Sequence, residues 1–451
     1  MNRFVRWSLS FFILLLTTAF PVISAPELRK GQIIRDCEIE STLRDYIDPI
    51  FRVAKLNPKS LHLYIMVNPE INASASLGPS ILINTGLITK SANVGELIGV
   101  IAHETGHIAD GHVVRTFGAL EKAQIPMIAA LVLGAAAGVM AGDSRAAAAI
   151  MMGGMETGRR SFLIYSRGQE SAADQAAVKY LDALGWSSKG MMQFMQVLEQ
   201  QELLSSARQD PYLLTHPLSK DRVAFFKHHV EKSVYSNEAY PFDFRQKYDR
   251  MKIKIMAFSQ APNKILEKYP ASDTTLISQY ARAIALFRSH RLPEAIETIN
   301  RLIEDRPKDP FFYELKGQML FESGKVTEAL PIYKKAVSLA PDAGLMRILL
   351  AHVLIEQNQS RYDRQAIEQL NKAKRSEQEN PLLWRMLAVA YGRTQQKDVA
   401  ELMLAEQALT EGRKEHASRH AELALKKLPV VKKVERQRAQ DILNEIKQES
   451  A

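Results

Sequence analysis

An interval of 34 residues recurs in the last third of this chain. Ala295 and Ala329 stand 34 positions apart, and Pro307 and Pro341 repeat the same interval. Chains with this period are built of helix pairs, in which small residues recur where two helices cross. One pair cannot bury its apolar face alone, so the pairs must stack on one another. The spacing predicts a helical solenoid over residues 270–430, because a bundle without repeats would not produce two matched intervals.

Later units keep the order of small and aromatic positions but shift their spacing. Ala329 and Ala366 are 37 residues apart, which indicates one lengthened turn near Arg361. The period and the order of residue types are typical of tetratricopeptide repeats. The matching positions are Gly317, Tyr333 and Ala336, then Trp384, Leu387, Ala388, Tyr391 and Ala400, then Ala405, Ala417, Ala421, Ala424 and Pro429. Residues 431–451 are predicted to be a charged C-terminal tail.

The first 24 residues have the pattern of a secretory signal peptide. Arg3 and Arg6 precede an apolar run, Trp7–Phe20, and Val22 and Ser24 are permissive residues for cleavage. The run is short for a bilayer span, which favours a cleaved peptide over a permanent anchor. We therefore expect an exported protein with a signal peptide at 1–24 and a first folded domain at 25–265.

Composition limits the kinds of site that this chain can form. Its 451 residues include one cysteine, Cys37, so an internal disulfide and a cluster of thiolate ligands are both excluded. The formal net charge is +9, but no basic run with interleaved aromatic residues appears, so nucleic acid is not an expected partner. Any zinc site must therefore use histidine and carboxylate ligands.

Residues 103–107 read H-E-x-x-H within an apolar helical pattern. His103 and His107 are one turn apart on a helix, so both imidazoles lie on one face and can reach one zinc ion. Glu104 stands beside them and can take a proton from water activated by the metal. Histidine is scarce, with 11 in 451 residues, which favours a zinc peptidase over two solvated histidines.

A catalytic zinc needs a third protein ligand, and the neighbouring residues do not supply it. The metzincin pattern is absent, because Asp110 and Val113 replace its glycine and its third histidine. At about 100° per residue, His112 points about 180° away from His103 and is expected to be a poor ligand.

Two acids in a later segment are better candidates for the metal site. Glu170 and Asp174 share one face of an alanine-rich helix predicted over Ser166–Leu184, with Gly185 after its end. We expect Glu170 to bind the metal and Asp174 to accept the free N–H of a ligating histidine. Such a pair standing alone would be interpreted as a solvated helix face, but here it accompanies H-E-x-x-H.

Two strands and a capped helix are predicted ahead of the motif. Apolar runs at 61–67 and 81–84 are typical of strands in a small sheet. Asn93 followed by Glu96 forms a capping box that opens the helix carrying the motif. Further along, Met127–Ala141 is apolar but too short to span a bilayer, so we expect a helix that is buried or in peripheral contact with a membrane.

With these motifs the chain resembles the gluzincin peptidases, a family that includes the CAAX prenyl proteases and the HtpX proteases. Asn72-Ala73 and Thr85-Gly86 match that family as well. The signal peptide and the repeats make it most similar to periplasmic members that act in outer-membrane β-barrel assembly. The expected fold is mostly α, with a gluzincin-type metallopeptidase domain that has a small β-sheet and is followed by a tetratricopeptide-repeat solenoid.

The resemblance also implies a function. It makes His103, His107 and Glu170 the ligands of one zinc ion per subunit and Glu104 the general base. It implies a periplasmic endopeptidase that degrades misfolded or misassembled outer-membrane proteins and has a chaperone-like role in their assembly. The repeats would then bind the β-barrel assembly machinery.

Two further residues gain roles from the resemblance. His216 lies near the metal in such proteins and can be a fourth ligand, which would keep the site latent, and Arg222 follows it. The alternative for His216 is a turn residue before Pro217.

The sequence says less about where the substrate binds and about which of proteolysis and chaperone activity is the main function. We expect an extended substrate to add a strand at the edge of 61–67 or 81–84. A second hypothesis is a repeat-based chaperone or scaffold with secondary or latent proteolysis. A third, an integral membrane protease, depends on Met127–Ala141.

Overall fold

The computed structural model describes residues 30–76, 78–116, 152, 166–202, 212 and 216–448. The predicted signal peptide at 1–24 and the apolar segment at 127–141 lie outside these residues. Within them the protein is mostly helical, with one small sheet near the start. No helix in the described ranges is both long and apolar enough to cross a membrane.

A four-stranded sheet opens the first domain. Its strands are β1 (Ile33–Ile34), β2 (His62–Met66), β3 (Ala73–Ser76) and β4 (Ser80–Asn84), in the order β1-β2-β4-β3. The two predicted strands are confirmed as β2 and β4, which run parallel and each pair antiparallel with an outer strand. β4 is paired along both edges, so the expectation that substrate pairs with β4 is wrong, whereas β1 covers only Ile65 and Met66 of β2 and the expectation for β2 stays a prediction.

Helix α3 (Val94–Ala109) carries the H-E-x-x-H motif through the centre of the first domain. The Asn93 side chain accepts a hydrogen bond from the Glu96 N–H, and the Glu96 carboxylate accepts one from the Ala92 N–H. The predicted N-cap is thus confirmed, but the Glu96 carboxylate reaches the N–H one residue before the cap rather than that of Asn93. Every residue from Val94 to His107 is buried, since α3 packs against α1 (Cys37–Val53), β3 and later helices. Burial on every side suits a helix whose residues are mostly apolar.

The described part of this domain contains five more helices. Helix α4 covers 166–183, and Gly185 follows it with a φ of +68°, which confirms the predicted helix and its glycine stop. Helices α2 (Thr85–Lys90), α5 (Lys189–Glu202), α6 (Lys220–Lys232) and α7 (Phe242–Ser259) complete the described part of this domain.

Helices α3 and α5 cross with their backbones in contact. A Cβ atom added to Gly190 would lie 2.2 Å from the carbonyl carbon of Gly95. One added to Gly99 would lie 2.6 Å from the Cβ of Met191. Only glycine permits this approach, which fixes the position of the helix that bears the motif.

Antiparallel helix pairs form the rest of the chain. They are α8 (Pro262–Lys268), α9 (Leu276–Arg288), α10 (Leu292–Asp305), α11 (Pro310–Glu322), α12 (Val326–Leu339), α13 (Gly344–Glu356), α14 (Ser360–Ala373), α15 (Pro381–Arg393), α16 (Lys397–Thr410), α17 (Lys414–Lys427) and α18 (Lys433–Gln448). Ala295, Ala329 and Ala366 are fully buried where paired helices meet, as the repeat pattern predicts. The segment predicted as a charged tail contains α18, which buries Ala439 and Ile442 against the preceding helices.

A buried ionic cluster joins the first domain to the repeats. Glu38 of α1 contacts Arg250 of α7 at 2.6 Å and accepts a hydrogen bond from the Tyr280 hydroxyl at 2.5 Å. Lys254, which is 1% exposed, lies 3.3 Å from Glu38 and 3.6 Å from Glu314 of α11. Burying so many charges is tolerable only because each has an opposite partner. The cluster therefore ties the first repeat helices to the peptidase side of the chain.

Candidate metal centre and peptidase site

His103 and His107 face each other on the inner side of α3. Their Nε2 atoms are 3.1 Å apart, and their side chains are almost completely buried. Spacing of four positions on a helix brings the two rings into contact, as expected from the sequence. The two nitrogens therefore point at one common position.

Glu170 of α4 closes the same position from the opposite side. Its Oε2 lies 3.3 Å from His103 Nε2, and its Oε1 lies 3.4 Å from His107 Nε2. His216 approaches with Nδ1 at 3.2 Å from Glu170 Oε1 and 3.4 Å from His103 Nε2. One ligand atom from each of these four residues lies within 4.8 Å of all the others.

This donor set fits a zinc ion. Imidazole nitrogens and carboxylate oxygens bind zinc at about 2.0–2.2 Å, so ligand atoms around one tetrahedral ion are about 3.4 Å apart. The contacts among His103, His107, Glu170 and His216 given above span 3.1–3.4 Å. Two imidazole nitrogens facing each other also share at most one proton. A cation between them removes that conflict.

Glu104 lies on the other side of the motif, next to β3. Its Oε2 accepts a hydrogen bond from the backbone N–H of Ala75 at 2.8 Å. Its Oε1 is buried and accepts no hydrogen bond from the described residues, and His216 Nε2 lies 3.5 Å from it. One oxygen of this carboxylate is thus held, and the other faces the cluster.

Asp174 and Arg222 support the cluster from behind. Asp174 Oδ1 lies 2.9 Å from His103 Nδ1, the ring nitrogen that faces away from the site. Arg222 donates to both Asp174 oxygens, at 2.6 and 2.9 Å, and places Nη1 2.9 Å from Glu170 Oε2. The carboxylate thus orients the imidazole while the guanidinium fixes the carboxylate, which is the usual outer arrangement at zinc sites.

The charges of this cluster favour a cation. Burial alone would raise the pKa of Glu170, but hydrogen bonds from His103, His107 and His216 hold it well below the ordinary value. Burial opposes charge on His103, yet its contacts with Asp174 and Glu170 raise the pKa of His103 to about 9. The ionised carboxylates therefore stabilise positive charge at the point where the ligand atoms converge.

His112 is the site residue whose place the sequence pattern did not predict. It is outside the four-residue cluster, but its Nδ1 lies 3.0 Å from His107 Nδ1. Helix α3 ends at Ala109, and Gly111 has a φ of +64°, so the chain turns back on itself and the helical wheel no longer applies. A glycine two residues after the helix was the available signal.

Parts of the chain match known protein families. Residues 35–230 match Peptidase family M48. This stretch of the chain is similar to that peptidase family. Residues 280–344 and 320–390 match two tetratricopeptide-repeat families. The predicted fold class and the prediction of a peptidase are therefore confirmed.

Curated relatives are similar to this chain over part or most of its length. "Beta-barrel assembly-enhancing protease" of Yersinia pestis is 25% identical over 77% of this chain and 72% of its own length. The protein of that name from Escherichia coli (strain K12) is 24% identical over 79% of this chain and 72% of its own length. "Metalloprotease YcaL" of the same strain is 25% identical over 43% of this chain and 73% of its own length. The resemblance expected from the motifs is thus confirmed.

Proposed function

We propose that this protein is a periplasmic zinc endopeptidase that cleaves misfolded or misassembled outer-membrane proteins and assists their assembly. The proposal depends on the convergence of ligand atoms from His103, His107, Glu170 and His216 beside the buried carboxylate of Glu104. Relatives named for enhancing β-barrel assembly support the substrate class. The signal-peptide pattern supports the periplasm as the compartment.

In this proposal His103, His107 and Glu170 hold the zinc ion. Zinc bound there would act as a Lewis acid on the scissile carbonyl and would make water nucleophilic near neutral pH. Glu104 accepts the proton of the attacking water on Oε1, the oxygen that receives no hydrogen bond from the described residues. It then delivers that proton to the departing amine.

The outer edge of β3, which pairs with no strand among the described residues, is the proposed substrate platform. The Ala75 N–H points away from β4 and toward Glu104, so this edge faces the general base. An extended peptide added here would form main-chain hydrogen bonds alongside the catalytic carboxylate. Such recognition requires an unpaired stretch of substrate backbone. It therefore favours unfolded or misassembled chains over folded ones.

His216 keeps the site latent in this proposal. Its ring lies between Glu170 and Glu104, where water and substrate must enter. Tyr212 stacks on it with a centroid distance of 4.5 Å, which holds the ring in place. We expect His216→Ala to cleave a loosely folded protein such as casein faster than the parent. An unchanged or slower rate would contradict the latch.

The catalytic assignment is tested by comparing metal content with cleavage. We expect the parent to hold about one zinc per chain and Glu104→Gln to keep that zinc but lose at least about 10²-fold in cleavage. His103→Ala should lose both zinc and activity. Glu199→Gln, which removes an exposed acid of α5, is the matched control and should retain both. Cleavage by Glu104→Gln at the parent rate would refute the proposal.

A second candidate function, a chaperone or scaffold for outer-membrane assembly, is supported by the two repeat matches. Stacked helix pairs present an extended surface for a protein partner, here the β-barrel assembly machinery. A strain that lacks this protein and receives Glu104→Gln separates the two roles. Restored outer-membrane barrier function would favour the repeats as the essential part. Release of the protein by osmotic shock without detergent would support its periplasmic location.

A further inference from the structure

The two histidines of the motif differ in the group that contacts their outer nitrogen. His103 Nδ1 lies 2.9 Å from a carboxylate oxygen of Asp174. His107 Nδ1 instead lies 3.0 Å from Nδ1 of a second imidazole, that of His112, with the two rings at 74° to each other. His112 is 5% exposed, so water does not replace this contact.

The backbone around His112 is fastened independently of its side chain. The His112 carbonyl accepts hydrogen bonds from the Thr116 hydroxyl at 2.8 Å and from the Gln169 side-chain amide at 3.1 Å. The Thr116 hydroxyl oxygen also lies 3.2 Å from the side-chain oxygen of Gln169. Gln169 directly precedes Glu170, so this small network ties the turn after α3 to the helix that brings Glu170. The backbone at His112 is therefore held by groups that a side-chain substitution leaves intact.

If His107 binds a metal, it must be the donor in its hydrogen bond with His112. His107 Nε2 faces the cluster, 3.1 Å from His103 Nε2, and must be unprotonated to be a ligand. Its proton then resides on Nδ1 and can only be donated to Nδ1 of His112. The remaining proton of His112 lies on Nε2, which is 3.7 Å from the carboxylate of Asp110 and beyond a direct hydrogen bond.

We propose that His112 is the positioning residue of His107: it accepts the Nδ1–H of His107 and thereby sets the tautomer and ring orientation of that zinc ligand. This inference rests on the proposed zinc site. It makes the outer partners of the two histidines chemically different, one a carboxylate and the other a neutral imidazole. Partners of this kind contribute 10- to 100-fold to metal affinity at zinc sites.

Two variants separate the acceptor from the ring. His112→Asn places an amide oxygen near the position of Nδ1 but removes the ring, whereas His112→Phe keeps a ring of similar shape and removes the acceptor. Zinc affinity of the full-length protein is measured by competition with a chromophoric chelator, together with the rate of zinc release to excess EDTA. We expect His112→Phe to lose about 10- to 100-fold in affinity and His112→Asn to remain close to the parent.

Parent affinity in His112→Phe, or a greater loss in His112→Asn than in His112→Phe, would overturn the inference. Equal losses in both variants would overturn it as well, since ring packing rather than the acceptor would then matter. His103→Ala is measured alongside. If the parent itself binds no zinc, the proposed function fails; if the parent binds zinc and His103→Ala does not, a negative result at His112 refutes this inference alone.

Discussion

The crossing of α3 and α5 offers a direct test of how the catalytic helix is positioned. In Gly190→Ala, the new Cβ would lie 2.2 Å from the Gly95 carbonyl carbon, more than 1 Å short of an ordinary contact. The three atoms nearest to this Cβ all belong to the backbone of Gly95 and Glu96, so no side chain can rotate away and the helices must separate. Overpacking of this kind costs about 1–3 kcal/mol. His103 is eight residues from Gly95, about 12 Å along the same rigid helix, so the displacement reaches the site.

A shift of about 1 Å at a catalytic centre can reduce turnover about 10²-fold. We therefore expect Gly190→Ala to cleave casein far more slowly and to weaken hydrogen-exchange protection of the α3 amides by about 1–3 kcal/mol. Gly168→Ala is the matched control, because Gly168 is exposed in α4 with no atom within 4 Å of an added Cβ. It should leave stability unchanged or raise it by up to about 1 kcal/mol. Parent-like exchange and cleavage in Gly190→Ala would show that this crossing does not position α3.

Two further predictions concern buried charges. Arg222→Ala leaves the carboxylate of Asp174 buried without its guanidinium partner, so urea denaturation should show a loss of about 3–5 kcal/mol in the free energy of unfolding. Arg222→Lys should lose less stability. Equal stability of Arg222→Ala and the parent would contradict this explanation. Burial raises the pKa of Glu314 to about 7, against an attraction from Lys254. Because this carboxyl binds its proton more tightly in the folded chain, its ionisation destabilises the fold as pH rises from about 4.5 to above 7. Thermal unfolding should therefore show that the stability of Glu314→Gln relative to the parent increases as pH rises across that window. A constant or decreasing stability difference would refute this.

Features set by local spacing could be predicted from the sequence. Four positions between His103 and His107 place two rings on one helix face whatever surrounds the helix. Asn93 and Glu96 cap that helix through contacts within one turn, and the 34-residue period follows from nearest-neighbour stacking. Each of these depends on residues close together in the chain.

The edge of the sheet could not be predicted in this way. The runs at 61–67 and 81–84 have the composition of strands, but composition does not say which strand lies at an edge. β3 has the short sequence ASAS, without the β-branched or aromatic residues that mark a strand, and it forms because it pairs with β4. Its position beside Glu104 is a property of the packed sheet.

By itself, the sequence determined that the chain combines three parts: a helix bearing H-E-x-x-H, a helix carrying Glu170 and Asp174, and a series of stacked helix pairs. The tertiary structure alone decided that His216 meets Glu170 and that Arg222 holds Asp174, across 46 and 48 residues of chain. It also decided that the His112 side chain contacts His107. The reason is that Gly111, with a positive φ, turns the chain just after α3, so helical periodicity does not apply to residue 112. Periodicity describes a single element, whereas contacts between elements depend on how the whole core packs.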